Sequence, residues 1–515
     1  MKSPSMFRIL LFAGVMGLGL TACQREQIEQ NPSNTFEAVG PSLSKAEINA
    51  AVEDHLFSTN EVFDWNESSN DMVFSAMAHS GYEAALGYQP AGFENLDQRI
   101  HEISVTEGEW LETRNRIMGM VLAATARHTG QELTEEEILV APEDGVLPIL
   151  EVKILAPEIL AELRGMPEVR YLEPSNYEPR EVDLRSGSGC DVSPNFSIPS
   201  ADFTTVSPSA KVPWNFYNMN IPQAWTTSRG NNIGICIIDT GSSPNQSRLM
   251  GSFASGDSGG RYHNRYGTYV SSWWPWASPD GPNDGCGHGT QMAGLAAAPR
   301  TTGGSSVGVA YEANLISVRG TSDVIVNGSR EKRGVKDALV LAGNRSDVQI
   351  ISMSIGDVFY SGTVRDGIDY AYNKGKLIFA AAGTSLSWTS WWGVIFPANR
   401  WNTTAVTGIR DGSPMQRCNT CHDGSQVDFV AVMQRSNDTD RTSLTLAMSG
   451  NQPAYVGGSS AATATTAGIA ALVWATNPSQ NRSQVLDRMK NAASIYPSRS
   501  SNFGWGIVDA AQAVQ

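Results

Sequence analysis

A chain of 515 residues, 41% hydrophobic and 17% charged, is long enough for several domains and apolar enough for a large core, which excludes a disordered or low-complexity protein. Its net charge of −15 is uneven: Cys23 to Arg185 holds 31 Asp and Glu against 11 Lys and Arg, a net −20, whereas Ser186 to Gln515 holds 21 against 24, a net +3. No basic stripe runs through either part, so nucleic acid is excluded as a partner, and the charge step predicts two units that attract one another.

Lys2 and Arg8 precede an apolar run from Ile9 to Leu20, too short to span a bilayer and patterned like a secretory signal. The run ends in Leu20-Thr21-Ala22-Cys23, which resembles the bacterial lipoprotein signal. That resemblance implies removal of residues 1–22, a lipid on the Cys23 sulfur, and a place in the cell envelope, membrane-anchored outside the cytoplasm. The alternative is an ordinary signal-peptidase site nearby. Residues 23–95 read as a tether and an N-terminal region without visible chemistry. Gln24 to Gly40 is polar, Ser44-Lys45-Ala46-Glu47 is a capping box opening a helix with Ile48, Ala51, Val52 and Leu56 on one face, and Met72 to Tyr88 reads as a second helix.

Within residues 96–180 the pattern is sharper. Leu147 to Ile154 predicts a strand, Ala156 to Arg164 a helix stopped by Gly165 and Pro167, and Glu168 to Pro174 a second strand. That order, with Met-Pro-Glu-Val-Arg-Tyr-Leu-Glu-Pro at 166–174, resembles the end of the inhibitor-like propeptide of secreted subtilases. The resemblance implies a small α+β domain that assists folding and plugs the active site, so the chain's own propeptide is an expected partner. Residues 181–210 are rich in Ser, Pro and Gly and predict a linker with a processing site.

In residues 211–515 strands alternate with helical stretches, which predicts an α/β fold with a mostly parallel sheet covered by helices on both faces. Ile233 to Ile238 is a buried strand that stops at Asp239-Thr240-Gly241. His288-Gly289-Thr290 opens a small-residue helix, Val348 to Ser354 is a strand ending at Gly356, and Lys376 to Ala382 is a strand ending at Gly383-Thr384. Gly457-Gly458-Ser459-Ser460-Ala461-Ala462 is a glycine turn opening a helix. Ser459 or Ser460 there is either an N-cap in a packing seam or a nucleophile on a rigid corner with a backbone N–H beside it. A serine hydroxyl attacks only when a base takes its proton, and a carboxylate fixes the tautomer of an imidazole base. Asp239, His288 and Ser460, in that order, supply this set.

Three stretches, Ile235 to Gly241, Gly287 to Gly294 and Gly458 to Ala462, resemble the three subtilase signatures. Ile351 to Gly356, Phe396-Pro397-Ala398 and Gly504 to Ala510 match further landmarks of that family. The resemblance runs from Pro213 to the C-terminus. It implies a serine endopeptidase that hydrolyses protein or peptide substrates through an acyl-enzyme, made as a self-processing zymogen. Asp239, His288 and Ser460 are the catalytic residues it implies. Ser354 and Gly356 are implied to bind the substrate backbone by strand addition. Ser459, Ala461 and Ala464 replace the usual Thr, Met and Pro. Thr384 replaces the Asn whose amide serves the oxyanion, and its shorter hydroxyl donates there only if the backbone sits closer or a water intervenes. A peptide-binding pseudoenzyme with an impaired oxyanion hole is the alternative.

Six cysteines leave five if Cys23 carries lipid. Cys236 in the buried strand is the expected free thiol, and Cys190, Cys286, Cys418 and Cys421 pair in one of three ways. Cys418 to His422 also matches a haem-attachment pattern and half a zinc site, although no second half is present. No cofactor is expected. Calcium is common in the family, but only the Asp280 to Asp284 loop suggests ligands. Trp273, Trp274, Trp276, Trp388, Trp391 and Trp392 fall in two loops that either form an aromatic wall for substrate or pack together as a lid.

Overall fold

The computed structural model describes residues 39–143, 145–179, 190, 198–272, 274, 276–385 and 393–515. The signal segment with Cys23, most of the 181–210 linker, and Trp273, Trp388, Trp391 and Trp392 lie outside the described residues. The N-terminal part carries helices α1 (Lys45–Thr59) and α2 (Asn70–Ala78), strand β1 (Glu83–Tyr88), helices α3 (Leu96–Arg99), α4 (Gly108–Thr129) and α5 (Glu135–Ile138), strand β2 (Ile149–Lys153), helix α6 (Pro157–Arg164) and strand β3 (Val169–Pro174). The predicted capping box opens α1: Glu47 N–H donates to Ser44 Oγ, and Ser44 N–H donates to Glu47 Oε2. The three strands form an antiparallel sheet in the order β2-β1-β3.

Two expectations change here. Met72 to Tyr88 is not one helix: α2 ends at Ala78, and Gly81 (φ 91°) and Tyr82 (φ 64°) turn the chain into β1. Left-handed backbone cannot continue an α-helix. Because β1 is the central strand, the boundary at residue 95 divides a single sheet, and residues 45–95 belong to the same α+β layer as residues 96–174.

The C-terminal part begins with a hairpin, β4 (Phe203–Val206) and β5 (Ala210–Pro213), inside the stretch read as linker. Buried Asp202 anchors it, accepting from Arg441 and from Tyr455 Oη, the latter at 2.6 Å. Then follow helix α7 (Ile221–Ala224), β6 (Gly234–Asp239), β7 (His263–Gly267), α8 (His288–Ala297), β8 (Asn314–Arg319), α9 (Ser329–Asn344), β9 (Ile350–Met353), α10 (Gly362–Asn373), β10 (Leu377–Ala381), β11 (Thr404–Arg410), β12 (Val427–Gln434), β13 (Ser443–Leu446), β14 (Pro453–Val456), α11 (Gly458–Ala475), α12 (Arg482–Asn491) and α13 (Ala510–Ala513). Seven strands form one parallel sheet in the order β12-β11-β10-β9-β6-β8-β7, as expected for an α/β fold. Every residue of β6 is buried, which is why its sequence is apolar without alternation. The small residues of α11 permit close packing: a Cβ at Gly468 would lie 2.6 Å from Val309 Cβ.

The N-terminal layer rests on α9 and α10 through buried polar contacts. Arg170 pairs with Asp366 at 2.7 Å, and Arg333 pairs with Glu151 at 2.9 Å. Glu173 accepts from Gly362 N–H at 3.0 Å and from Ser361 Oγ at 3.1 Å, closing the start of α10. Asn176 Oδ1 accepts from Ser329 N–H at 2.6 Å at the start of α9. Trp65 stacks on Phe359 with ring centroids 5.3 Å apart. Charge runs both ways across this contact: the N-terminal layer supplies the acid to Arg333 and the base to Asp366.

Candidate active site

Asp239 is the last residue of β6, in the middle of the sheet, and is fully buried. Strand ends of a parallel sheet are where open α/β folds gather their ligands. His288 opens α8, and its Nδ1 lies 2.9 and 3.0 Å from the two carboxylate oxygens of Asp239. A carboxylate only accepts, so Nδ1 carries the proton and Nε2 is left with a lone pair. Burial opposes charge on this ring. Asp239, through charge and hydrogen bond, then Asp284 and Asp323 overcome it and hold the imidazole above its ordinary 6.5.

Asp284 is the residue whose role the sequence left unread. Its Oδ1 accepts from Thr240 Oγ1 (2.9 Å), Cys286 N–H (2.9 Å) and Gly287 N–H (2.6 Å). Its Oδ2 accepts from Thr290 N–H (2.9 Å) and Thr290 Oγ1 (2.6 Å). Thr240 Oγ1 in turn accepts from Gly289 N–H at 2.9 Å. One carboxylate thus ties the residue after Asp239 to the turn before His288. Gly289 is obligatory, since a Cβ there would lie 2.3 Å from Gly241 O. The loop suggested for calcium has its oxygens engaged internally: Asp284 as above, Asp280 with Ser271 N–H at 3.0 Å, and Asn283 with Arg265 at 2.8 Å. Among the described residues no group of three or more His, Cys, Asp or Glu gathers as a metal site.

Ser460 lies in the first turn of α11, which is entered through Gly458 at φ 77°. The N-cap is Gly457, so neither Ser459 nor Ser460 caps the helix. Ser460 is half-buried, and its hydroxyl donates to Ser354 O at 3.4 Å. Ser354 Oγ donates to Ser460 O at 3.0 Å, which binds the end of β9 to the corner. Among the described residues no hydrogen bond joins Ser460 to His288. Turning χ1 is what redirects the hydroxyl, and such bonds commonly tighten only with substrate present. Gly356 N–H donates to Val324 O at 3.0 Å, and Gly356 O accepts from Val326 N–H at 3.1 Å. The edge expected to hold a peptide is therefore zipped to the neighbouring segment here.

Thr384 follows β10 and is half-buried. Its Oγ1 accepts from Ser459 N–H at 3.3 Å and lies 2.9 Å from Ser459 Oγ. Cys418 and Cys421 form a disulfide directly beneath: Thr384 bridges Cys421, Ser385 N–H donates to Thr420 O at 2.7 Å, and His422 N–H donates to Gly383 O at 2.9 Å. Both sulfurs of this stretch are paired with each other, at a sequence separation of 3. His422 is buried with Nδ1 2.7 Å from Gly393 O, and burial lowers its pKa to about 4. Cys190 pairs with Cys286, two residues before His288, and Cys236 is the buried free thiol. Burial pushes that thiol up to about 12, so it is inert. Trp274 and Trp276 are about half exposed at 53% and 47%.

A parallel α/β sheet with an Asp–His pair at the end of an inner strand, whose histidine helix packs on a helix entered through a Gly-Ser-Ser corner, defines a serine peptidase. Residues 230–506 match the subtilase family, and the chain belongs to that family. It is 28% identical over 295 residues to thermitase of Thermoactinomyces vulgaris, covering 57% of this chain and 92% of thermitase. It is 30% identical over 312 residues to the thermostable alkaline protease of Halalkalibacterium halodurans, covering 60% of this chain and 75% of that protein. Fervidolysin of Fervidobacterium pennivorans, a keratinolytic enzyme related to subtilisin, shares the fold at 17% identity with a TM-score of 0.56, over 84% of this chain and 60% of its own.

Proposed function

We propose that this serine peptidase is an exported, lipid-anchored endopeptidase made as a zymogen that cuts itself, with Asp239, His288 and Ser460 as its catalytic residues. The observation that carries the reading is the buried His288–Asp239 hydrogen bond at the start of α8, a helix that packs on α11, whose first turn carries Ser460. Ser460 Oγ attacks the scissile carbonyl while His288 Nε2 takes its proton. Asp239 holds the imidazolium, and the Ser460 backbone N–H receives the oxyanion. His288 then gives the proton to the leaving amine. Water, deprotonated by His288, releases the acyl group and restores the serine. Three side chains, one backbone N–H and a water supply these steps.

Residues 45–179 act as the propeptide. Their docking on α9 and α10 through Glu173, Arg170 and Asn176 supports an intramolecular inhibitor, as does the sheet order that resembles one. Self-cleavage falls in the 181–210 linker. Protein substrates then enter along Ser354 and Gly356, displacing the Val324 to Val326 segment. The signal pattern ending at Cys23 supports export and anchoring. N-terminal sequencing of purified protein beside its Ser460→Ala variant tests this. Two chains in the wild type and one in the variant are expected. A single uncut chain in both refutes self-processing.

A peptide-binding pseudoenzyme is the second reading, favoured by the engagement of Thr384 Oγ1 with Ser459. A fluorophosphonate probe that labels the wild type but not Ser460→Ala excludes it. Absence of label in both, in protein freed of residues 45–179 that still binds a peptide, supports it.

A further inference from the structure

The oxyanion side of the site holds a residue with no role so far, Ser459. It is 1% exposed. Its Oγ accepts from Gly383 N–H at 3.2 Å and lies 2.9 Å from Thr384 Oγ1. Its own N–H donates to Thr384 Oγ1 at 3.3 Å. The two amide bonds have fixed direction, because an N–H only donates. The direction of the hydroxyl pair decides the chemistry.

Two arrangements exist. In one, Thr384 donates to Ser459 Oγ, which then accepts twice and must place its own proton elsewhere. Among the described residues Ser459 Oγ makes no other hydrogen bond, so that proton would be buried without a partner, which carries the desolvation cost of an unmade bond. In the other, Ser459 donates to Thr384 Oγ1. Both acceptor positions of Thr384 are then filled, by the N–H and the O–H of the same serine, and its own proton has nowhere to go but out of the cluster. The second arrangement satisfies every buried group.

The outward proton is aimed by a fixed frame. The Thr384 backbone is pinned from below by its bridge to Cys421 and by His422 N–H on Gly383 O. Gly383 has φ 127°, and a Cβ on it would lie 2.4 Å from His422 Nδ1, so the turn cannot relax in that direction. Gly458 lets Thr384 approach closely on the other side: a Cβ there would lie 2.9 Å from Thr384 Oγ1. That side is the glycine corner that carries Ser460.

We propose that Ser459 is a positioning residue that fills both lone pairs of Thr384, so that the Thr384 hydroxyl becomes the side-chain donor to the oxyanion. The inference rests on the peptidase reading above. It makes Thr384 and Ser459 one unit, in which a short hydroxyl does the work of a longer amide because the neighbouring serine dictates its proton.

The test is a kinetic cycle on the processed enzyme with a chromogenic peptide: wild type, Thr384→Val, Ser459→Ala, the double variant, and Ser459→Thr. Thr384→Val is expected to lower kcat about 100-fold or more, with KM within about twofold. Ser459→Ala lowers kcat about 10-fold at unchanged KM, because the Thr384 proton is no longer directed. The double variant falls no further than Thr384→Val, and Ser459→Thr, which keeps the hydroxyl, stays near wild type. Losses that multiply in the double variant would show that Ser459 acts through the backbone and overturn the proposal. So would wild-type kcat in Thr384→Val. A wild type that hydrolyses nothing and takes no fluorophosphonate overturns the peptidase reading and this inference together, whereas an active wild type with an indifferent Thr384→Val sinks only the inference.

Discussion

Glu173 offers a pH test of how the N-terminal layer is held. It is 1% exposed, with its carboxylate on Gly362 N–H and Ser361 Oγ. Burial outweighs the charge of Lys332 and the Gly362 N–H, and raises its pKa from 4.5 to about 7. Once the layer has unfolded from α10, the residue returns to water and to its ordinary value. A carboxyl whose pKa is higher in the docked state contributes fully below 4.5, and that contribution is lost as pH rises from 4.5 to about 7. The interval amounts to about 3 kcal/mol. Glu173→Gln keeps an oxygen for Gly362 N–H but does not titrate. The assay is urea unfolding of full-length Ser460→Ala protein with and without Glu173→Gln, from pH 4.5 to 8. Taking the difference at each pH cancels every other titrating group. The Gln protein should gain about 3 kcal/mol relative to the Glu protein across that range. A flat difference would refute the reasoning. A difference of opposite sign would show that the start of α10 stabilises the carboxylate more than burial opposes it.

Asp239→Asn leaves the His288 ring in place but removes the charge and lets an amide NH₂ donate to Nδ1, which favours the wrong tautomer, so kcat should fall about 10⁴-fold with KM little changed in steady-state assays. His288 must be neutral to accept a proton and sits above 6.5, so kcat/KM should fall as pH drops through a value above 6.5. Asp323→Asn removes one of the charges that raise it, and the acid limb should move to lower pH, more at low salt than at high. Gly383→Ala puts a Cβ against His422 at φ 127°; both Tm and kcat should drop, by about 1–3 kcal/mol in stability from backbone strain alone.

The residues proposed as catalytic are legible because each announces itself locally. Asp239 ends an apolar run, His288 opens a helix between glycines, and Ser460 follows a glycine turn. What was not legible depends on distant partners. Ala84-Ala85-Leu86 has helical propensity and becomes a strand only because β2 and β3 flank it. The β4–β5 hairpin hides in a linker composition because Arg435 and Arg441, more than 200 residues away, hold Asp202. The role of Ser459 requires the end of β10 to meet the start of α11, 75 residues apart in the chain. Asp284 looked like a cation ligand because acidic residues near Gly and Asn suit one, but its oxygens serve backbone donors. The cysteine pairings were open as arithmetic and are decided by which loops the sheet brings together.

The Cys190–Cys286 bond closes a covalent ring with a sequence separation of 96 that contains Asp239 but not His288. A peptide-bond break anywhere between residues 191 and 285 opens this ring without producing two molecules. A break on the N-terminal side of Cys190 does produce two, held by non-covalent contacts on α9, on α10 and on the 358–360 segment before α10. A break on one side or the other of that sulfur therefore decides whether the part that follows it separates from residues 1–189 or stays on a leash that only a reductant severs.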